Sequence, residues 1–280
     1  MSPSDGAWLF VQAYAGLFGL LFGSFMNVCI SRMPEDRSVV SPRSACPGCG
    51  APVAARDNIP VLSWLLLGGR CRSCKAPISP LYPTVEALFG VLTVLLFRHV
   101  VPDLGALDVP HLAAMLWYSY LLFSLTALTF IDLRHAIIPD AFSIYGVPVG
   151  VGGAALLGWL GYPGAPTLSQ AVVGAVAGGA VLLPLMGAYK WLRGVDGMGW
   201  GDVKLLALIG SYFGAMPALL AVLLVGAFVG SGIGISLALA RRGSLKLQLP
   251  FGPFLALGAL IWLFAGADLS RLLGWDLMFS

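Results

Sequence analysis

Charge is what this chain lacks. Of 280 residues, 10% are Asp, Glu, Lys or Arg and 58% are hydrophobic; mean hydropathy is +0.88. A soluble domain is about a quarter charged. So few charges cannot cover a water-facing surface, which excludes a soluble globular enzyme. Disorder is excluded as well, because it needs high charge and few aromatics, and here 11% of residues are aromatic. Thirty-six glycines follow no three-residue period, so a collagen-like fibre is out. Histidine is scarce: His99 and His111 fall on one side and His135 in a loop, so no histidine metal site is expected. Gly-x-Ser-x-Gly, His-Glu-x-x-His and P-loop patterns are all missing. No nucleic-acid partner is expected at a net charge of +3. What remains is an all-α polytopic membrane protein, with the lipid bilayer as its surroundings.

Apolar runs mark the spans, since about 20 apolar residues cross a bilayer as a helix. The first covers residues 7–28. It has no basic segment before it and no small-residue cleavage site, so it reads as a retained span and not as a signal peptide. Further runs cover 84–101, 111–131, 141–160, 168–189 and 251–267. Residues 205–240 carry no charge at all and are too long for one crossing at about 1.5 Å per residue. A break at Gly214 to Pro217 divides them into a short span and a full one. The total is about eight transmembrane helices. The Gly- and Ala-dense stretches 146–161 and 174–187 suit close helix packing.

Orientation follows from the basic residues. With the N-terminus outside, eight crossings put Arg32, Arg37, Arg43, Arg56, Arg70, Arg72 and Lys75 in the cytoplasm. Arg134, Lys190, Arg193, Lys204, Arg241, Arg242 and Lys246 fall on that same side, and only Arg98 and Arg271 lie outside.

Residues 31–83 differ from the rest. They hold ten of the chain's 29 charged residues and four of the five cysteines, and read as a water-facing cytoplasmic insert. Cys46-Pro-Gly-Cys49 is followed after twenty-one residues by Cys71-Arg-Ser-Cys74. Each C-x-x-C aims two thiolates at one ion, and four thiolates complete a tetrahedral zinc site. Two disulfides are the alternative, disfavoured on a cytosolic face. With four protein ligands such a zinc has no open position. Its role is structural, folding a loop too small for its own core. Cys29, at the membrane edge without a partner, reads as a packing residue.

Ionisable residues at membrane depth are costly and mark function. Asp132 ends the run Leu128-Thr129-Phe130-Ile131, and Asp202 stands in Gly199-Trp200-Gly201-Asp202 before the next span. In the topology above both lie at cytoplasmic span ends and can converge at one depth. Two close carboxylates tend to share one proton. The ionised one can take a proton from water while the other protonates a leaving amine, which is aspartic peptide hydrolysis. Gly199 and Gly201 would let a substrate backbone approach and permit positive φ. Lys204 is placed to tune the pair or to hold a substrate carbonyl. The competing account makes the aspartates helix caps, Asp202 as an N-cap. Asp140 is expected to cap the following helix, and Asp196 to be solvated.

These residues resemble the bacterial type IV prepilin peptidases, also called prepilin leader peptidase/N-methyltransferases, over nearly the whole chain. The similarity runs through Gly23-Ser24-Phe25-Met26-Asn27-Val28 with Arg32 and Pro34, and Asn58-Ile59-Pro60-Val61-Leu62-Ser63-Trp64 between the cysteine pairs. It continues in Tyr82-Pro83-Thr84-Val85-Glu86, Asp132 with Ile138-Pro139-Asp140, Gly199 to Lys204, and Pro250-Phe251-Gly252-Pro253. The resemblance implies two reactions: removal of a basic leader, after Gly, from type IV prepilins or type II secretion pseudopilins, and methylation of the new N-terminus with S-adenosylmethionine. It implies a catalytic pair Asp132 and Asp202 and a bacterial inner-membrane location with the active site facing the cytoplasm. It also implies three parts: a first transmembrane helix (1–30), a methyltransferase-associated four-cysteine zinc loop (31–83) and a membrane aspartic peptidase domain (84–280). No G-x-G-x-x-G marks a nucleotide site; Asp57, Asn58 and Glu86 are the residues considered for the methyl donor. The alternatives are a peptidase without methylation, a proton-coupled transporter, and a zinc-loop scaffold without chemistry.

Overall fold

The computed structural model describes residues 3–194, 199–240 and 249–275. Eleven α-helices run in chain order among them: α1 Pro3–Arg32, α2 Leu62–Leu66, α3 Leu81–Val100, α4 Val109–His135, α5 Asp140–Ser143, α6 Gly146–Trp159, α7 Leu168–Val181, α8 Leu183–Arg193, α9 Trp200–Phe213, α10 Ala218–Ala240 and α11 Gly252–Leu272. No strand occurs among the described residues beyond isolated bridges at Ala45 with Pro52 and Arg70 with Pro77. In lipid this is expected: only a helix or a closed barrel satisfies its backbone polar groups unaided. Arg241, Arg242, Lys246 and Asp196 lie outside the described residues.

Among the described residues, seven segments are long and apolar enough to cross a membrane. The further span expected from the sequence corresponds to α9, which is shorter than these. Helix α9 has 14 residues, about 21 Å at 1.5 Å per residue, against a hydrocarbon core of about 30 Å. Protein surrounds it instead, and most of its residues from Asp202 to Tyr212 are buried. Its end matches the expected break: Gly214 has φ +78°, and α10 begins at Ala218.

The chain forms two compact units, residues 1–115 and 116–280. In the first, α1 packs antiparallel along α3, and small residues set the spacing. A Cβ added at Gly19 would lie 2.6 Å from Thr93 Oγ1, and one at Gly23 would lie 2.8 Å from the Glu86 Cα. Cys29 is buried here, as expected of a packing residue.

In the second unit α9 is gripped by α7. A Cβ at Gly174 would run into the Gly210 carbonyl, and one at Gly178 into that of Leu206. The glycine-dense stretch 174–187 thus works, in its first turns, as a contact surface for α9. Helix α7 opens on a capping box, in which Thr167 Oγ1 accepts from the Gln170 N–H and Gln170 Oε1 from the Thr167 N–H. Trp117 stacks on Tyr212 at 4.4 Å between ring centroids, which fixes the far end of α9.

Candidate active site

Asp132 lies in the last turn of α4, where the helix ends at Ala136 in the left-handed region (φ +52°). Asp202 lies in the first turn of α9. Both are buried, 6% and 7% exposed. Seventy positions apart in sequence, their carboxyl groups come close enough to interact electrostatically. N-capping does not account for Asp202. The N-cap of α9 is Gly199 and makes no side-chain bond, so Asp202 is the third helical residue with its carboxyl turned inward.

A third helix completes the site. The Asp132 carboxylate accepts a hydrogen bond from the Gly252 N–H, the first residue of α11. Pro253 has no N–H to give, and the N–H groups of Phe254 and Leu255 both turn back to the Phe251 carbonyl. The Gly252 N–H is therefore the donor that this helix start directs at a side chain. Phe251, at the N-cap, makes no side-chain cap bond; Asp132 supplies one from another helix. The carboxyl pair thus sits at the N-terminal ends of α9 and α11, where helix dipoles favour negative charge.

Packing around the pair is tight. A Cβ at Gly252 would lie 2.6 Å from Asp132 Oδ2 and 3.1 Å from Ile138 Cδ1, and one at Gly201 would lie 2.9 Å from Ile138 Cβ. Ile138 is wedged between the two glycines that flank the aspartates. The sequence reading missed Gly252 and Ile138 as positioning residues. The available signal was the Pro at the second helical position after Gly252, which marks a helix start, but nothing in the sequence ties that start to Asp132.

Three expectations change. Gly199 has φ −79°, and neither it nor Gly201 is among the residues with positive φ; what Gly201 supplies is room for Ile138. Among the described residues, a Cβ added at Gly199 would meet only the backbone nitrogen of Gly201, at 3.8 Å. Lys204 Nζ donates to Asp140 Oδ1 at 2.6 Å, a partly exposed pair that ties α9 to α5. Asp140 is the first residue of α5 behind the N-cap Pro139 and makes no cap bond.

In the first unit the four cysteines gather. The Sγ atoms of Cys46, Cys49, Cys71 and Cys74 lie within 4.8 Å of one another, with Cys46 and Cys74 at 3.7 Å. Four thiolates at the usual zinc–sulfur distance of about 2.3 Å stand about 3.8 Å apart, so the donor set fits zinc. The two pairs are built alike. Cys46 N–H donates to Ala51 O and Gly50 N–H to Cys46 O; Cys71 N–H donates to Ala76 O and Lys75 N–H to Cys71 O. The residue after each second cysteine is left-handed, Gly50 at φ +71° and Lys75 at φ +60°. The N–H groups of Cys74 and Ser73 hold the Cys71 thiol down to about 6, ready to ligate as thiolate. The protein is expected to carry about one zinc per chain, and replacing Cys71 or Cys74 by Ser to lower that content and loosen the insert; elemental analysis and hydrogen exchange check this, and zinc unchanged by the replacement would refute it.

The residues considered for the methyl donor are partly committed. Asp57 accepts from Arg72 Nε and from its Nη2, at 2.8 and 2.6 Å, which holds its carboxyl below the usual range. Glu86 is buried and Oε2 accepts from the Val61 N–H at 2.7 Å. Asn58 has an exposed side chain. Between them Ser63 Oγ donates to Arg56 O and accepts from the Ile59 N–H, and Trp64 Nε1 donates to Ile78 O.

Buried paired carboxyls at helix starts, in a protein of membrane-spanning helices, define a polytopic membrane protein equipped for proton transfer. Comparison with known proteins carries this further. Residues 17–100 match the bacterial peptidase A24 N-terminal domain and residues 119–235 the type IV leader peptidase family; the first stretch contains all four clustered cysteines and the second both aspartates. The chain is 41% identical to a prepilin leader peptidase/N-methyltransferase of Aeromonas hydrophila, over 94% of this chain and 93% of that one. It is 35% identical to one of Burkholderia pseudomallei (94% and 88%) and 33% to one of Pseudomonas aeruginosa (91% and 90%). No solved structure matches. The chain belongs to the type IV leader peptidase family, and is an enzyme of that family.

Proposed function

We propose that the protein removes the basic leader from type IV prepilins or type II secretion pseudopilins and then methylates the new N-terminal amine with S-adenosylmethionine. The observation that carries the reading is the burial of Asp132 and Asp202 together at the starts of α9 and α11 in a chain of this family. The pair shares one proton. The ionised carboxylate takes a proton from water as the water oxygen bonds to the scissile carbonyl carbon. The protonated carboxyl then gives its proton to the amine as the C–N bond breaks. The dipoles of the two helices balance the single negative charge that remains. The proton taken from the attacking water replaces the one given up, so the pair is restored.

The zinc held by Cys46, Cys49, Cys71 and Cys74 is structural in this proposal, and residues 31–83 serve the methyl transfer, with residues 1–30 as the first span and 84–280 as the peptidase part. Of the three residues considered for the methyl donor, Asn58 is the one whose side chain is not a carboxylate already engaged. The basic residues support a bacterial inner-membrane placement with the N-terminus periplasmic and the site facing the cytoplasm. No observation favours a proton-coupled transporter.

Mass spectrometry of a pilin N-terminus, made with and without this protein, tests both reactions together. An unprocessed pilin in the presence of active, membrane-inserted protein would overturn the reading. The two activities are also expected to separate. Gly69 has φ +66°, and a Cβ there would lie 2.9 Å from the Trp64 ring. Asn58→Ala and Gly69→Ala should therefore lower methylation more than cleavage. Equal loss of both in folded variants would defeat the assignment of separate sites.

A further inference from the structure

The insert between α1 and α3 is inside out for a water-facing loop. Ile59, Leu62, Leu65 and Leu66 are 47%, 49%, 61% and 76% exposed, whereas Ser63 is buried. Leu62, Leu65 and Leu66 recur at steps of three and four along α2, so they share one side, and Ile59 is exposed just ahead of the helix. The polar residue faces inward, with its hydroxyl satisfied by Arg56 and Ile59. Three large apolar side chains on one side of a short helix, with a fourth beside its start, are an unusual exposure in water and mark a contact surface.

Two register marks place this surface at membrane depth. The Val61 N–H, directly before α2, is bonded to Glu86, and Glu86 is five residues inside α3, about 7.5 Å along it. The whole of α3 makes up a segment long and apolar enough to cross a membrane. On α1, Glu86 is level with Gly23, nine residues before the end of that helix at Arg32, or about 13 Å. The start of α2 is thus tied to a level that lies within both spans. Around that level α1 exposes Phe22 and Phe25, and α3 exposes Tyr82, a residue type enriched at lipid interfaces. The bond is held against backbone strain. Val61, which is β-branched, has φ +60° and ψ −50°, a conformation that persists only where its surroundings enforce it.

We propose that residues 59–66 are seated in the interfacial layer of the bilayer, with Ile59, Leu62, Leu65 and Leu66 among the acyl chains, so that the insert is a monotopic membrane element and not a free cytoplasmic loop. The occupant of the apolar face is lipid, because α2 is tied to the level at which α1 and α3 also expose large apolar side chains. This inference concerns only where the insert lies and does not rest on the reaction proposed above.

The test uses the full chain in vesicles of phosphatidylethanolamine and phosphatidylglycerol. A photoreactive benzophenone amino acid replaces Leu62, Leu65 or Leu66 in separate variants, and Ser73, exposed on the second cysteine pair, in a control. Hydrogen exchange across the insert, unchanged from the parent, identifies the variants that keep its fold; three positions guard against loss of any one. Irradiation followed by mass spectrometry should give lipid adducts at the three leucine positions several-fold above those at Ser73. Adduct levels equal to Ser73, crosslinks to a second copy of the chain, or crosslinks to an added pilin peptide in place of lipid would each overturn the proposal.

Discussion

Asp132→Asn and Asp202→Asn are each expected to reduce leader cleavage by about 1,000-fold or more, the range that a positioned proton donor or acceptor supplies. Asparagine keeps the shape of the carboxyl and its ability to accept from the Gly252 N–H, so the helices should stay packed. What it removes is the shared proton. Neither partner can then both take a proton from water and return one to the leaving amine. Because the pair acts as a unit, the double variant should be little worse than either single one. The measurement is the rate of cleavage of a purified prepilin by protein whose membrane insertion and zinc content match the parent. Substantial cleavage by either single variant would refute the catalytic assignment. The same variants should still methylate a pre-cut peptide, because that reaction needs a free amine and not the carboxyl pair.

The second large effect is expected at Gly252. Its Cα–H is so close to Asp132 that an added methyl would lie 2.6 Å from Oδ2. Gly252→Ala must therefore push the carboxylate aside or tilt the start of α11, and either breaks the N–H bond that orients Asp132. A displacement of about 1 Å at a reacting group can cost about 100-fold in rate. Ile138 Cδ1, 3.1 Å from the same point, closes the other way out. Gly232 on α10 is a matched control, since nothing lies within 4 Å of a Cβ there, and Gly232→Ala should leave cleavage near the parent rate. A Gly252→Ala protein with full activity would show that Asp132 does not depend on the start of α11.

Much of this was legible in the sequence, for physical reasons that can be named. The spans follow from apolar runs, because lipid forces each crossing to satisfy its own backbone. The break at Gly214 to Pro217 followed from length alone. The four-cysteine cluster followed from spacing, since C-x-x-C is itself a local geometry. The aspartates stood out because charge is so scarce in the runs that contain them. The shortfalls are those of tertiary structure. That α9 has only 14 residues was hidden, because its apolar run continues unbroken into α10. That Lys204 turns to Asp140, and that Gly201 exists to admit Ile138, depend on which helices become neighbours.

The length of α9 has one more consequence. A helix roughly 9 Å shorter than the hydrocarbon layer cannot keep both ends at a lipid–water boundary. Hydrophobic mismatch of this kind is relieved by local thinning of the bilayer or by hydration of the recessed end. Hydrolysis consumes a water molecule for every bond cut, and Asp202 stands on the first turn of the truncated helix. A recess at the first turn of α9 would let water reach the carboxyl pair without a pore through the protein.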